Sequence, residues 1–221
     1  MRNLFLTVNV FAAVLGVFFI GGVEAKEHKQ KENKISGEAY LANKIDDSDR
    51  RYPTMLKALN LIIKLQANEL LEVRIVTNRN LPDNSEFNDS VVFANWSLIN
   101  NANYFIGAFD EKKAHCLKAF TEPYRRNVKV YSDHLKERLS TLRKKVDFLY
   151  LETEGFDSKK PQKFEQKLLN VAKAVEPCLS DRSVILIGNL PANPKNNDAV
   201  KYFVSKGWSI VKIDYQTVLK R

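Results

Sequence analysis

Two uninterrupted apolar runs constrain the fold of this chain more than any other feature. "VDFLYLE" (146–152) and "SVILIGNL" (183–190) keep strand-forming apolar residues at successive positions, where a half-exposed strand would alternate. Such strands have to be covered on both faces, and a parallel sheet flanked by helices supplies that cover. The first run ends in Glu152, Thr153, Glu154 and Gly155, two carboxylates where a parallel strand meets a loop. In open α/β sheets ligands bind at that end of the strands. Glu152 and Glu154 therefore mark the place where a site belongs.

The rest of the chain alternates helical and strand patterns around these runs. "YPTMLKALNLIIKLQANELL" (52–71) places Met55, Leu59, Ile62, Ile63 and Leu65 at helical spacings, and "EVRIVTN" (72–78) follows as a short strand. "LPDNSEFNDS" (81–90) reads as a loop, "VVFANWSLINN" (91–101) as a helix and "YFIGAFD" (104–110) as a strand. "EKKAHCLKAFTEPYRR" (111–126) is helical until Pro123 stops it, "VKVYSD" (128–133) is a strand and "HLKERLSTLRK" (134–144) a helix. A helix begun by Pro161 precedes "SVILIGNL", and "NNDAVKYFVSKG" (196–207) is a helix closed by Gly207. "WSIVKIDYQTVLKR" (208–221) predicts two strands with a bend near Asp214. The expected architecture is α/β, a mostly parallel sheet between helical layers with an antiparallel strand at the C-terminus.

The first fifty residues differ in character. "MRNLFLTVNVFAAVLGVFFIGGVEA" (1–25) has a basic residue, an apolar run and small residues before a cut after Ala25, the layout of a secretory signal peptide. An uncleaved anchor over 4–23 is the alternative, and either places the remainder outside the cytoplasm. Residues 26–50 read as a polar arm, and 51–221 as the α/β domain. The formal charge of +9 is spread along the chain, with Lys159, Lys160, Lys163 and Lys167 near one helix. It favours an anionic surface or protein partner. No zinc-finger spacing or basic heptad points to nucleic acid, and membrane contact is expected only through an uncleaved leader. Cys116 and Cys178 either pair in an oxidising compartment or remain free thiols. Three histidines and no CxxC exclude a zinc site of ordinary spacing.

The order of the later segments resembles the class I S-adenosylmethionine-dependent methyltransferases, in the subgroup whose fourth strand ends "DFLYLD". The resemblance covers roughly 52–221 and rests on "RIV" before the first loop, "FD" after the second strand and "VKVYSDHLKERLSTL" before "VDFLYLE". "SVILIGN" and the closing "KGWSIVKIDYQTVLKR" complete it. The resemblance implies a Rossmann-like three-layer sandwich and S-adenosylmethionine as cofactor. Thr77 and Asn78 stand at the turn where the family has a glycine-rich loop, and no glycine occurs between Arg74 and Ser90. Asp110 matches the acid that binds the ribose hydroxyls, with a helix N-cap as its other reading. Asp133 matches the residue beside the adenine, again with a helix N-cap as its other reading.

Glu152 matches the acid ending the fourth strand and is the one catalytic candidate; the resemblance also implies that it joins Thr77, Asn78, Asp110 and Asp133 in holding the cofactor. In metal-using members that acid is joined by acids ending the fifth strand; here Gly188 and Asn189 stand there, so a metal at Glu152 and Asn189 is not expected. The combined expectation is an exported, methyltransferase-like protein with impaired or lost activity. The alternative is an active enzyme acting on a small or carbohydrate-like acceptor.

Overall fold

A computed structural model describes residues 35–76, 87–132, 145–154, 161–188 and 194–221. Its strands, in chain order, are β1 (Glu69–Val76), β2 (Asn103–Ala108), β3 (Val128–Tyr131), β4 (Val146–Glu154), β5 (Leu179–Ile187), β6 (Ser209–Ile213) and β7 (Thr217–Lys220). They form one sheet in the order β3-β2-β1-β4-β5-β7-β6. The first five pair in parallel, and β7 runs antiparallel to both β5 and β6. Helices α1 (Gly37–Leu41), α2 (Tyr52–Leu65), α3 (Asn88–Ile99) and α4 (Glu111–Thr121) lie on one face. Helices α5 (Pro161–Val175) and α6 (Asp198–Ser205) lie on the other. The α/β sandwich with a C-terminal antiparallel strand pair is the architecture the sequence predicts.

The two apolar runs serve both faces because side chains alternate along a strand. Phe148 and Tyr150 of β4, with Val184 and Leu186 of β5, join the core under α2 and α3. Leu149, Leu151, Ile185 and Ile187 join the core under α5 and α6. Each fully buried side chain of this size contributes about 1.5–3 kcal/mol relative to exposure. On the first face Phe93 of α3 organises the aromatic packing, its ring centroid 4.6 Å from Phe148 and 5.7 Å from Tyr150.

Two boundaries differ from the sequence reading. The helix expected over 52–71 stops at Leu65, because Gln66 adopts a left-handed conformation (φ 51°) and its N–H returns to Ile62 and Ile63. The Asp147 carboxylate then accepts the N–H groups of Asn68 (2.7 Å) and Glu69 (3.1 Å), which starts β1 beside β4. The C-terminal part of the expected polar arm is also folded. Tyr40, Leu41 and Ile45 are buried in the core, and Asn100 donates to the Tyr40 hydroxyl at 3.0 Å. Gly37 allows this approach: a Cβ there would lie 2.6 Å from Asn60 Oδ1. Three apolar residues in a charged stretch suffice to seat it, a signal that average composition hides.

Cys116 and Cys178 are not joined in a disulfide. They pack against cores on opposite faces of the sheet, so the fold itself keeps them apart. The leader expected over 1–25 and the helix expected over 134–144 lie outside the described residues.

The end of α6 shows how one glycine is used. Gly207 N–H donates to Val204 O (3.0 Å) and Trp208 N–H to Phe203 O (3.1 Å), the paired bonds of a Schellman cap. The Trp208 ring then packs edge-on against Phe203 at 6.1 Å, closing the motif with an apolar contact. Gly207 has φ +88° with open space where a Cβ would stand, so a substitution there is limited by backbone strain alone. Gly207→Ala is expected to lower stability by about 1–2 kcal/mol in denaturant titrations. Gly207→Asn should lower it less, because asparagine tolerates the left-handed region better.

Candidate functional site

The carboxyl end of β1 departs from the rule that places apolar side chains on both faces of a central parallel strand. Leu71, Val73 and Ile75 face α5 and α6 as expected, and Leu70 joins the opposite core. Glu72 and Arg74 follow Leu70 on that face and are completely buried. Arg74 Nε donates to Glu72 Oε1, and Arg74 Nη2 donates to Ser90 Oγ at 2.8 Å. Ser90, in the first turn of α3, contacts both Glu72 oxygens at 2.8 and 3.0 Å. Tyr104 of β2 donates to Glu72 Oε2. The Phe87 ring covers the guanidinium with its centroid 5.3 Å away.

A second group adjoins the first across the β1–β4 pairing, where Arg74 stands opposite Glu152. Tyr150 and Glu152 are two positions apart and share one face. The Tyr150 hydroxyl contacts Glu152 Oε2 and lies 2.6 Å from Asp89 Oδ2. Gln216, just before β7, donates to the same hydroxyl at 3.2 Å and accepts from Thr54 at 2.7 Å. Arg51 reaches Asp89 Oδ1 at 2.8 Å and Asp49 Oδ2 at 2.6 Å. Burial drives the Tyr104 and Tyr150 phenols well above their ordinary range, and the nearby carboxylates add to that rise. The Asp49 hydrogen bond raises the Arg51 guanidinium, keeping it charged.

Glu152 is 4% exposed and directed into this network. Gly188 makes room for it: a Cβ on Gly188 would stand 2.3 Å from Glu152 Oε2 and 3.2 Å from the Tyr150 hydroxyl. The backbone closes the same contact, with Gly188 N–H donating to Leu151 O at 2.9 Å and Thr153 Oγ1 donating to Gly188 O at 2.6 Å. Asp110 stands apart at the end of β2. It is partly exposed and caps α4, its Oδ1 accepting from the Lys113 N–H at 3.0 Å. Phe109 beside it is largely exposed, with the Lys167 ammonium 5.3 Å over its ring. Burial and neighbouring Lys163 lower the basicity of Lys167.

Thr77, Asn78, Asp133 and Asn189 lie outside the described residues, as do Lys159 and Lys160. Of the predicted residues, the structure therefore places Glu152 and Asp110, at separate positions. The network around Glu152 was missed by the sequence reading. Its signal was "LEVR": two opposite charges two positions apart, on one face of a strand whose other residues from Leu70 to Val76 are apolar.

Removing Arg74 leaves Glu72 buried without that cation. Breaking a buried pair from one side typically costs about 3–5 kcal/mol. Arg74→Ala is expected to lose stability of this order in denaturant titration. Gly188→Ala should lose about 1–3 kcal/mol, because the Glu152 carboxylate must shift inside a packed region.

No family model and no curated protein sequence matches this chain. Solved structures do. A candidate O-methyltransferase from Klebsiella pneumoniae superposes with a TM-score of 0.51 at 11% identity, covering 82% of this chain and 87% of that one. A candidate caffeoyl-CoA O-methyltransferase from Staphylococcus aureus gives 0.50 at 14% identity, over 82% and 88% of the two chains. NSun6 from Pyrococcus horikoshii, solved with SFG, gives 0.52 at 12% identity over 70% of this chain and 48% of its own. Sheet order, helical layers and these superpositions together give the chain the class I S-adenosylmethionine-dependent methyltransferase fold.

Proposed function

We propose that this chain is a non-catalytic member of the methyltransferase fold, kept as an interaction module. The carrying observation is Arg74, fully buried and held by Glu72 and Ser90 two residues before the end of β1. A cofactor of the S-adenosylmethionine type is what the fold implies, and the SFG in the NSun6 structure supports that implication. Such a cofactor needs close approach to the backbone where β1 turns, as glycine permits. Here an arginine side chain takes up space near that end, and Glu152 turns inward to Tyr150. These side chains are engaged with one another, which supports the non-catalytic reading.

The module reading takes further support from charge. The +9 of the full chain favours an anionic partner or envelope surface, with Lys163 exposed on α5. The signal-peptide-like pattern of residues 1–25 supports a location outside the cytoplasm, away from where that cofactor is made. The competing reading is an active methyltransferase on a small or carbohydrate-like acceptor. It rests on Asp110, which ends β2 partly exposed with one oxygen engaged in the helix cap.

Isothermal titration of the full chain with S-adenosylmethionine, and with S-adenosylhomocysteine, separates the two. The module reading expects no heat at high micromolar protein. Saturable binding that Asp110→Ala abolishes would overturn it in favour of the enzyme.

A further inference from the structure

We propose that the outer face of α3 is an N-glycan acceptor surface, with Asn88 and Asn95 as the modified residues. An asparagine followed two positions later by serine or threonine, with no proline between, is the acceptor triplet for N-linked glycans. The chain contains two such triplets, Asn88-Asp89-Ser90 and Asn95-Trp96-Ser97, and both fall in α3. Glycans of this kind belong to secreted chains, so the assignment rests on the exported location proposed above.

Helical periodicity decides whether α3 can carry them. Residues advance by about 100° around a helix, so positions i and i+2 point to opposite sides and i and i+7 to the same side. Asn88 and Asn95 therefore share one stripe, about 10 Å apart along the axis. Both are half-exposed, as is Val91 between them, while Ser90 and Ser97 are completely buried. Among the described residues nothing hydrogen-bonds the side-chain amide of either asparagine, so a sugar on it displaces no bond of the fold. Leu98 and Ile99, 40% and 48% exposed, stand three and four positions beyond Asn95. Residues at those spacings are neighbours on a helix, and a glycan on Asn95 has this apolar surface to cover.

The serines fix when the modification happens. Ser90 Oγ contacts both Glu72 oxygens, and Ser97 Oγ donates to Ala94 O at 2.8 Å. The folded chain hides both hydroxyls from a transferase that must read them, so the acceptor is the chain before it folds. The donor is an oligosaccharide carried on a lipid pyrophosphate. Asparagine Nδ2 bonds to the anomeric carbon of the sugar as the bond from that carbon to the pyrophosphate breaks. The departing pyrophosphate keeps the electron pair, and the amide nitrogen releases one proton. Two sugar chains then close the α3 face to a protein partner. Helix α5, with Lys163 exposed, lies on the other face of the sheet and stays open to one.

The test translates the full chain in the presence of endoplasmic-reticulum membranes, followed by protease and, separately, by an amidase that releases N-linked glycans. The expected product is protected from protease and runs heavier by two steps, both removed by the amidase. Asn88→Gln and Asn95→Gln should each remove one step, and the double variant both. Acceptance precedes folding, so a variant that folds poorly still reports. A protected chain without any shift overturns the glycan assignment and leaves the exported location standing. A chain left open to protease overturns the exported location, and the assignment with it. A shift that survives the double substitution also overturns the assignment.

Discussion

The buried pair of Glu72 and Arg74 is the constraint on which the carboxyl end of the sheet depends. A charge in a dry interior is tolerated only with a partner and with its remaining hydrogen-bonding capacity filled. Glu72 meets this with Arg74, Ser90 and Tyr104, which come from β1 itself, the first turn of α3, and β2. The pair therefore fixes where α3 begins and how β2 lies against β1. It also fixes register. A slip of one residue would carry both charges to the face lined by Leu71, Val73 and Ile75, where nothing apolar can answer them.

That constraint bears directly on function. A fold of this kind hosts many activities, and activity resides in the side chains at the ligand end of the strands. Here the described side chains at that end bond to one another. Arg74 serves Glu72, Glu152 serves Tyr150, and Gly188 is small because Glu152 needs its space. This internal bonding among the described side chains is the ground on which the interaction reading is proposed over the enzymatic one.

Much of the fold was legible because its signals are local. The apolar runs of β4 and β5, Pro161 at the start of α5 and Gly207 after α6 act through their own residues and immediate neighbours. The end of α2 was not legible. The apolar pattern of Leu65 continues smoothly into Leu70 and Leu71, and only the Gln66 backbone and the distant Asp147 carboxylate break it. The site divided in the same way. Glu152 stands at the strand end where its spacing put it, yet its role is decided by Asp89, 63 positions earlier, and by Gln216, 64 later, read off the numbering. Asp110 carried two readings in the sequence, and the helix cap is the one with a bond in the structure.

The central claim, that the protein's own side chains hold the carboxyl end of β1, is tested most directly by crystals of the chain grown with saturating S-adenosylhomocysteine. The account predicts Arg74 still bonded to Glu72 and Ser90, with no ligand density beside Asp110. Arg74 swung out of the core, with the ligand seated between β1 and Asp110, would contradict it.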